Sequence, residues 1–196
     1  MPLVLIVQLL PLVLLAVVPL APLSGQAFDA GFGVEARVQS ESDNAIIADR
    51  RGVAAFGIIG RAWRRQTHWR AEVGYARMHY RQFTVRGWEP ITHSGVEFAW
   101  YVRQQLGKVR ELTPYFLGGV MGSVRANCGP DQVSDATGAG DCHGDRFTFG
   151  WGVGAGVRAL TPVGLHASIE SRLLARSTAT RGSNVVTLGL NFVVGL

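Results

Sequence analysis

From Phe28 to Gln39 the chain alternates with period two. Phe28, Ala30, Phe32, Val34, Ala36 and Val38 fall on one face; Asp29, Gly31, Gly33, Glu35, Arg37 and Gln39 fall on the other. A helix, turning once every 3.6 residues, would mix these sets, whereas an extended strand separates them. The same sorting recurs along the chain. Trp69, Ala71, Val73 and Tyr75 oppose Arg70, Glu72 and Gly74. Between Thr92 and Arg103, Val96, Phe98, Trp100 and Val102 oppose His93, Gly95, Glu97, Ala99 and Arg103. Phe147 to Ala159 sets large apolar side chains against Thr148, Arg158 and four glycines. Val163, Leu165, Ala167, Ile169 and Leu173 oppose His166, Ser168, Glu170 and Arg172, and Val186, Leu188, Leu190, Phe192 and Val194 oppose Thr187, Gly189 and Asn191. Residues 52–62 alternate weakly and 113–124 are apolar on both faces, so both are predicted strands of unassigned orientation.

Eight strands of roughly 10–12 residues are predicted, the length a tilted strand needs to cross hydrocarbon. The connections alternate in character. Segments 63–67, 104–112 and 160–162 are short, while 40–51, 78–91, 125–146 and 175–183 are longer, more polar or richer in glycine. Which face carries what decides between a soluble barrel and a membrane one. A soluble barrel keeps its apolar face inside. Here the large aliphatic and aromatic residues share one face, and glycine and charge share the other, as expected when the apolar face meets lipid and the polar face lines the lumen. Phe28, Trp63, Trp69, Trp100, Tyr115 and Phe192 near the short turns, and Tyr75, Phe147 and Phe149 near the long loops, are candidate interfacial girdles. Glycine, 25 of 196 residues, suits crowded strand interiors and tight turns better than helices.

Residues 1–27 differ from the rest. They hold no charged side chain, run through Leu, Val and Ala broken by Pro2, Pro11, Pro19 and Pro22, and end Gly25-Gln26-Ala27, a small-x-small cleavage pattern. They are predicted to be a secretory signal peptide, cleaved to leave a mature chain from Phe28 to Leu196. A permanent anchor is the alternative, disfavoured by four prolines and the adjacent cleavage site. The fold class predicted is therefore all-β: an eight-stranded antiparallel up-and-down transmembrane β-barrel, residues 28–196, after a cleaved signal peptide. The net charge of +5 comes from scattered residues rather than a basic arm, so no nucleic acid is expected. An exported chain meets an oxidising compartment, so Cys128 and Cys142 are expected to pair as a disulfide.

Three segments carry a resemblance. The Gly150–Arg158 stretch GWGVGAGVR followed by Leu160-Thr161-Pro162 resembles the last hairpin of the small OmpA- and OmpX-like outer-membrane barrels. The Thr113–Gly119 stretch TPYFLGG resembles their fifth strand. The Thr187–Val194 stretch TLGLNFVV is similar to the signal read by the barrel-assembly machinery. The resemblance implies a monomeric barrel in the outer membrane of a Gram-negative-type bacterium, with that machinery, membrane lipid and lipopolysaccharide as partners.

The inward set holds Glu35, Arg37, Arg70, Glu72, Glu97, Arg103, Arg158, Glu170 and Arg172. Unpaired buried charge is costly, and eight strands leave an interior just wide enough for side chains, so these residues are expected to pair as a plug rather than line an open pore. A narrow channel is the competing reading. His166, Ser168 and Glu170 are similar to the His-x-Ser of PagL-like barrel enzymes, which remove an acyl chain from lipid A. Those enzymes follow the serine with Asn and Ala, where this chain has Ile169 and Glu170, and no catalytic residue is assigned. Gly154-x-Gly156-x-x-Ala159 matches a dinucleotide fingerprint only superficially, because a strand rather than a helix follows. Asp131, Asp135, Asp141 and Asp145 lack the EF-hand spacing, so neither metal nor cofactor is expected. Arg50, Arg51, Arg81, Arg86 and Arg181, in the loop regions, could meet phosphate. The function expected is a non-enzymatic outer-membrane barrel serving envelope stability, or adhesion and recognition through its external loops.

Overall fold

The computed structural model describes residues 28–40, 47–84, 87–107, 112–128, 147–161, 165–177 and 182–195. The expected signal peptide, residues 1–27, lies outside them, as do Cys142 and the loop aspartates. Eight strands follow in order: β1 (Phe28–Ser40), β2 (Ile47–Arg64), β3 (Thr67–Thr84), β4 (Gly87–Gln105), β5 (Leu112–Cys128), β6 (Phe147–Leu160), β7 (Leu165–Ser177) and β8 (Gly182–Gly195). Each pairs antiparallel with the next, and β1 pairs with β8 from Asp29↔Gly195 to Ser40↔Asn184, closing the barrel. Closure leaves the barrel wall without an edge strand, which is what lets a sheet stand in lipid.

Alternation places the faces as the residue types require. Val53, Val73 and Leu188 point outward and are about 60% exposed, while Glu170 points inward and is 1% exposed. A soluble protein would invert those values. Outward aromatics pack on one another, Phe32 on Phe192 across the β1–β8 seam with ring centroids 5.3 Å apart and Phe147 on Phe149 along β6 at 5.1 Å.

The two unassigned strands are settled by register. In β2, Ala54, Phe56 and Ile58 point inward; in β5, Thr113, Tyr115, Leu117 and Met121 do. The lumen is therefore partly apolar. Phe56, Ile58 and Val193 form one cluster, Tyr101, Tyr115 and Leu117 a second, and Met121, Leu174 and Val185 a third. This corrects the girdle expected at Tyr115, which lies inside at 1% exposure. Its ring needs room opposite: a Cβ at Gly156 would come within 2.6 Å of the Tyr115 ring and hydroxyl.

A second correction concerns residues 78–91, expected as a long loop. Residues 78–84 continue β3 and 87–91 begin β4, paired from Met78↔His93 to Thr84↔Gly87. Polar residues occupy both faces there, so the apolar alternation fades while the backbone ladder continues. Side chains brace it: the Tyr80 hydroxyl lies 2.6 Å from His93 Nε2, Thr92 Oγ1 lies 2.9 Å from His79 Nδ1, and the Arg81 guanidinium stacks 6.0 Å from the Trp88 ring centre. Gly87, with φ at +107°, starts the return strand in a conformation few L-residues adopt. On the opposite side the turns are short, as expected, with Arg64 paired to Thr67.

Candidate functional site

The most concentrated chemistry lies inside the barrel. β1 contributes Glu35 and Arg37, β3 Arg70 and Glu72, β4 Glu97, and β7 Glu170, Arg172 and Arg176. Each is on an inward position because two-residue spacing returns to the same face. Glu170 is the hub: it pairs with Arg172, accepts a hydrogen bond from Arg70 Nη1 at 3.0 Å, and accepts another from the Tyr115 hydroxyl at 2.7 Å. Arg172 also reaches Glu72 at 2.7 Å and Glu35 at 3.8 Å. Arg70 pairs with Glu72, and Arg37 with Glu35. Glu97 bridges Arg37 at 2.7 Å and Arg176 at 2.8 Å. Rings cover the guanidinium planes, with Arg172 5.2 Å from the Phe56 ring centre and 5.1 Å from that of Tyr101.

Towards the short turns lies a smaller group, in which Arg103 and Arg158 stand 3.6 Å and 3.9 Å from Asp29. All nine charged residues expected in the lumen point inward here. Seven of them join the central network, and Arg103 and Arg158 join the second group. Sequence reasoning missed two members. Asp29 alternates correctly but sits at the very start of β1. Arg176 lies past the point where the apolar pattern of β7 stops, although two-residue counting from Arg172 through Leu174 reaches it.

Taken together, the central network sets four glutamates against four arginines, and towards the short turns Asp29 alone among the described residues faces Arg103 and Arg158. The acids and arginines of the network pair with one another, apolar side chains pack between them, and a small cavity lined by Arg37, Glu72, Glu97, Tyr101 and Arg172 remains; Arg70 Nε and Arg37 Nη1 are buried without a hydrogen-bond partner among the described residues. The His166, Ser168 and Glu170 trio is not assembled for hydrolysis. Glu170 is engaged by Arg70, Arg172 and Tyr115, Ser168 Oγ accepts from Asn191 Nδ2 at 3.3 Å, and among the described residues no hydrogen bond joins His166 to Ser168. A serine nucleophile needs that base, and the base needs an acid to orient it. Gly154 and Gly156 lie within β6 with no helix following, and Gly156 serves to admit Tyr115. Cys128 closes β5, its Cα partnered with His93, while the disulfide expected with Cys142 falls outside the described residues.

A closed eight-stranded antiparallel barrel, apolar outside and charged within, defines a small barrel of the outer-membrane type. No known protein-family pattern matches the chain, and neither does any curated sequence. Solved structures do. The fold is similar to Neisserial surface protein A, with a TM-score of 0.57 and 14% identity over 87% of this chain and 99% of that one. It is similar also to the outer membrane protein OprG of Pseudomonas aeruginosa, with a TM-score of 0.52 and 6% identity over 87% of this chain and 94% of that one. At such identities the likeness is one of fold.

Proposed function

We infer that the chain is a sealed, non-enzymatic barrel of a Gram-negative-type outer membrane, contributing to envelope stability and presenting its loop-side surface for adhesion or recognition. The ion-paired lumen, packed with Phe56, Tyr101, Tyr115 and Leu174, carries this reading. A pore needs a continuous water path, and a lipid-processing site needs a polar cleft with an unengaged nucleophile and base. The inward acids and arginines are instead largely ion-paired with one another. What remains available is the loop-side surface, where β3 and β4 extend past β1, β6, β7 and β8 as a paired hairpin. Outer-membrane barrels characteristically carry their longer connections outside, which turns this hairpin towards the environment.

Purified barrel reconstituted into a planar bilayer tests the sealed lumen. The expected trace shows no steady conductance steps; large, sustained openings would overturn the reading. The same preparation incubated with lipid A should release no fatty acid. Release that disappears in Ser168→Ala and His166→Ala would make the protein an enzyme instead.

A further inference from the structure

On the outer wall, the apolar belt of β2 and β3 ends abruptly in cations. Outward positions of β2 run Ile59, Gly57, Ala55, Val53 and then Arg51; those of β3 run Trp69, Ala71, Val73, Tyr75 and then Arg77, His79 and Arg81. Register puts both changes at one level, since Val53 pairs with Arg77 and Arg51 with His79. On β4 the hydroxyl residues Ser94 and Thr92 stand opposite Arg77 and His79. Arg51, Arg77, His79 and Arg81 are all exposed.

The height of this cluster follows from strand geometry. Arg61 bounds the belt at the short-turn end of β2, and Arg51 bounds it at the other. At about 3.3 Å per residue and a tilt of about 40°, these two arginines stand roughly 25 Å apart along the membrane normal. That is the height of hydrocarbon an outer-membrane barrel spans. Arg51 and Arg77 are therefore level with the headgroups of the leaflet on the long-loop side. Among the described residues the patch occupies one sector. Elsewhere the same edge carries Val38, Val124, Phe147 and Asn184, none of them charged.

We propose that Arg51, Arg77 and Arg81, with His79, form a binding site on the outer wall for the phosphate groups of lipopolysaccharide in the outer leaflet. The proposal rests on the outer-membrane reading above and deepens it by naming the site and the ligand group. Arginine suits the role because its planar donors match phosphate oxygens two at a time. The acyl chains of the same lipid would lie along Val53, Val73, Val96 and Phe98, the outward apolar residues next along these strands. One ligand then meets the cationic and the apolar part of the wall together, which free phosphate could not do.

Native mass spectrometry of the detergent-solubilised mature protein, titrated with bisphosphorylated lipid A, measures the affinity directly. The triple variant Arg51→Gln, Arg77→Gln, Arg81→Gln should bind about 100-fold more weakly, and Arg77→Gln alone about fivefold, the scale set by removing near-surface cations facing an anionic leaflet. Arg61→Gln, at the opposite edge of the belt, should bind like wild type. Lipid A stripped of both phosphates should bind wild type no better than the triple variant. Gel mobility before and after boiling shows that each variant remains folded. Equal affinity of the triple variant and wild type overturns the site, as does an equal loss in Arg61→Gln or undiminished binding of dephosphorylated lipid A. Complete displacement of lipid A by millimolar inorganic phosphate would reassign the patch to free anions. Because the titration takes place in detergent, its failure is separable from a failure of the cellular location, which fractionation reads independently.

Discussion

Glu170 concentrates the energetics of the lumen in a single side chain. Its carboxylate is held by Arg70, Arg172 and Tyr115, and it is 1% exposed. Glu170→Ala would leave two guanidinium groups short of a partner in a place water reaches poorly. The expected cost is about 3–5 kcal/mol, the range seen when one member of a buried pair is removed. Glu170→Gln, which keeps the volume and an acceptor, should cost less. Urea unfolding in lipid vesicles, followed by tryptophan fluorescence, measures both; equal stability of wild type and Glu170→Ala would show that Glu170 is not held as described. Gly156 makes a complementary prediction through sterics. A side chain there meets Tyr115, so Gly156→Val should destabilise by about 1–3 kcal/mol, as overpacked interiors do. Ala155→Val, one position along and facing out, should be close to neutral in the same titration.

Strands, unlike individual contacts, were legible in the sequence wherever one face met lipid and the other met charge. β1 and β6 read out almost to their ends for that reason, and β7 and β8 over their central parts, since the strands run on to Ser177 and start at Gly182 inside the segment expected as a loop. β2 and β5 are recognisable as strands but carry no signal of orientation, because Phe56, Ile58, Leu117 and Met121 point into the lumen and leave both faces apolar. The inward side of Tyr115 is not legible locally: its partner Glu170 stands 55 positions away, and only the closed sheet brings them together. The extension of β3 and β4 was missed because outside hydrocarbon nothing forces the two faces to differ. That hairpin gives a prediction of its own. Gly87→Val places a β-branched residue at φ of +107° and should loosen the tip, seen as faster amide exchange over residues 80–91 with boiled and unboiled gel mobilities unchanged. Slow exchange in the variant would mean that the turn tolerates the substitution and that the cross-strand contacts alone hold the hairpin. In the neighbouring connection, the pairing of Cys128 with Cys142 stands as an expectation from compartment and cysteine count, and mass spectrometry of the non-reduced protein tests it.

At the scale of the whole molecule, closure is the property on which the rest depends. β1 and β8, the first and last strands, pair over nearly their full lengths, so no strand can leave without breaking ladders on both its sides. In hydrocarbon each broken backbone hydrogen bond lacks water as a substitute, which raises the barrier to opening as well as the free energy of the open state. The ionic plug acts in the same direction, since it ties β1, β3, β4 and β7 to one another through the lumen and a strand that peels away exposes its charges. Such a barrel should resist detergent unfolding at room temperature and yield only to heat. Unboiled protein in dodecyl sulfate should therefore run at a different mobility from boiled protein. Gly31→Val should weaken that resistance, because a Cβ at Gly31 meets the Phe192 carbonyl across the β1–β8 seam. The expected outcome is a lower temperature for the mobility change, with the folded band still present at room temperature. If wild type shows a single mobility under both conditions and is recovered as a soluble monomer, the closed barrel does not form in lipid and the assignment of its outer face to the membrane fails with it.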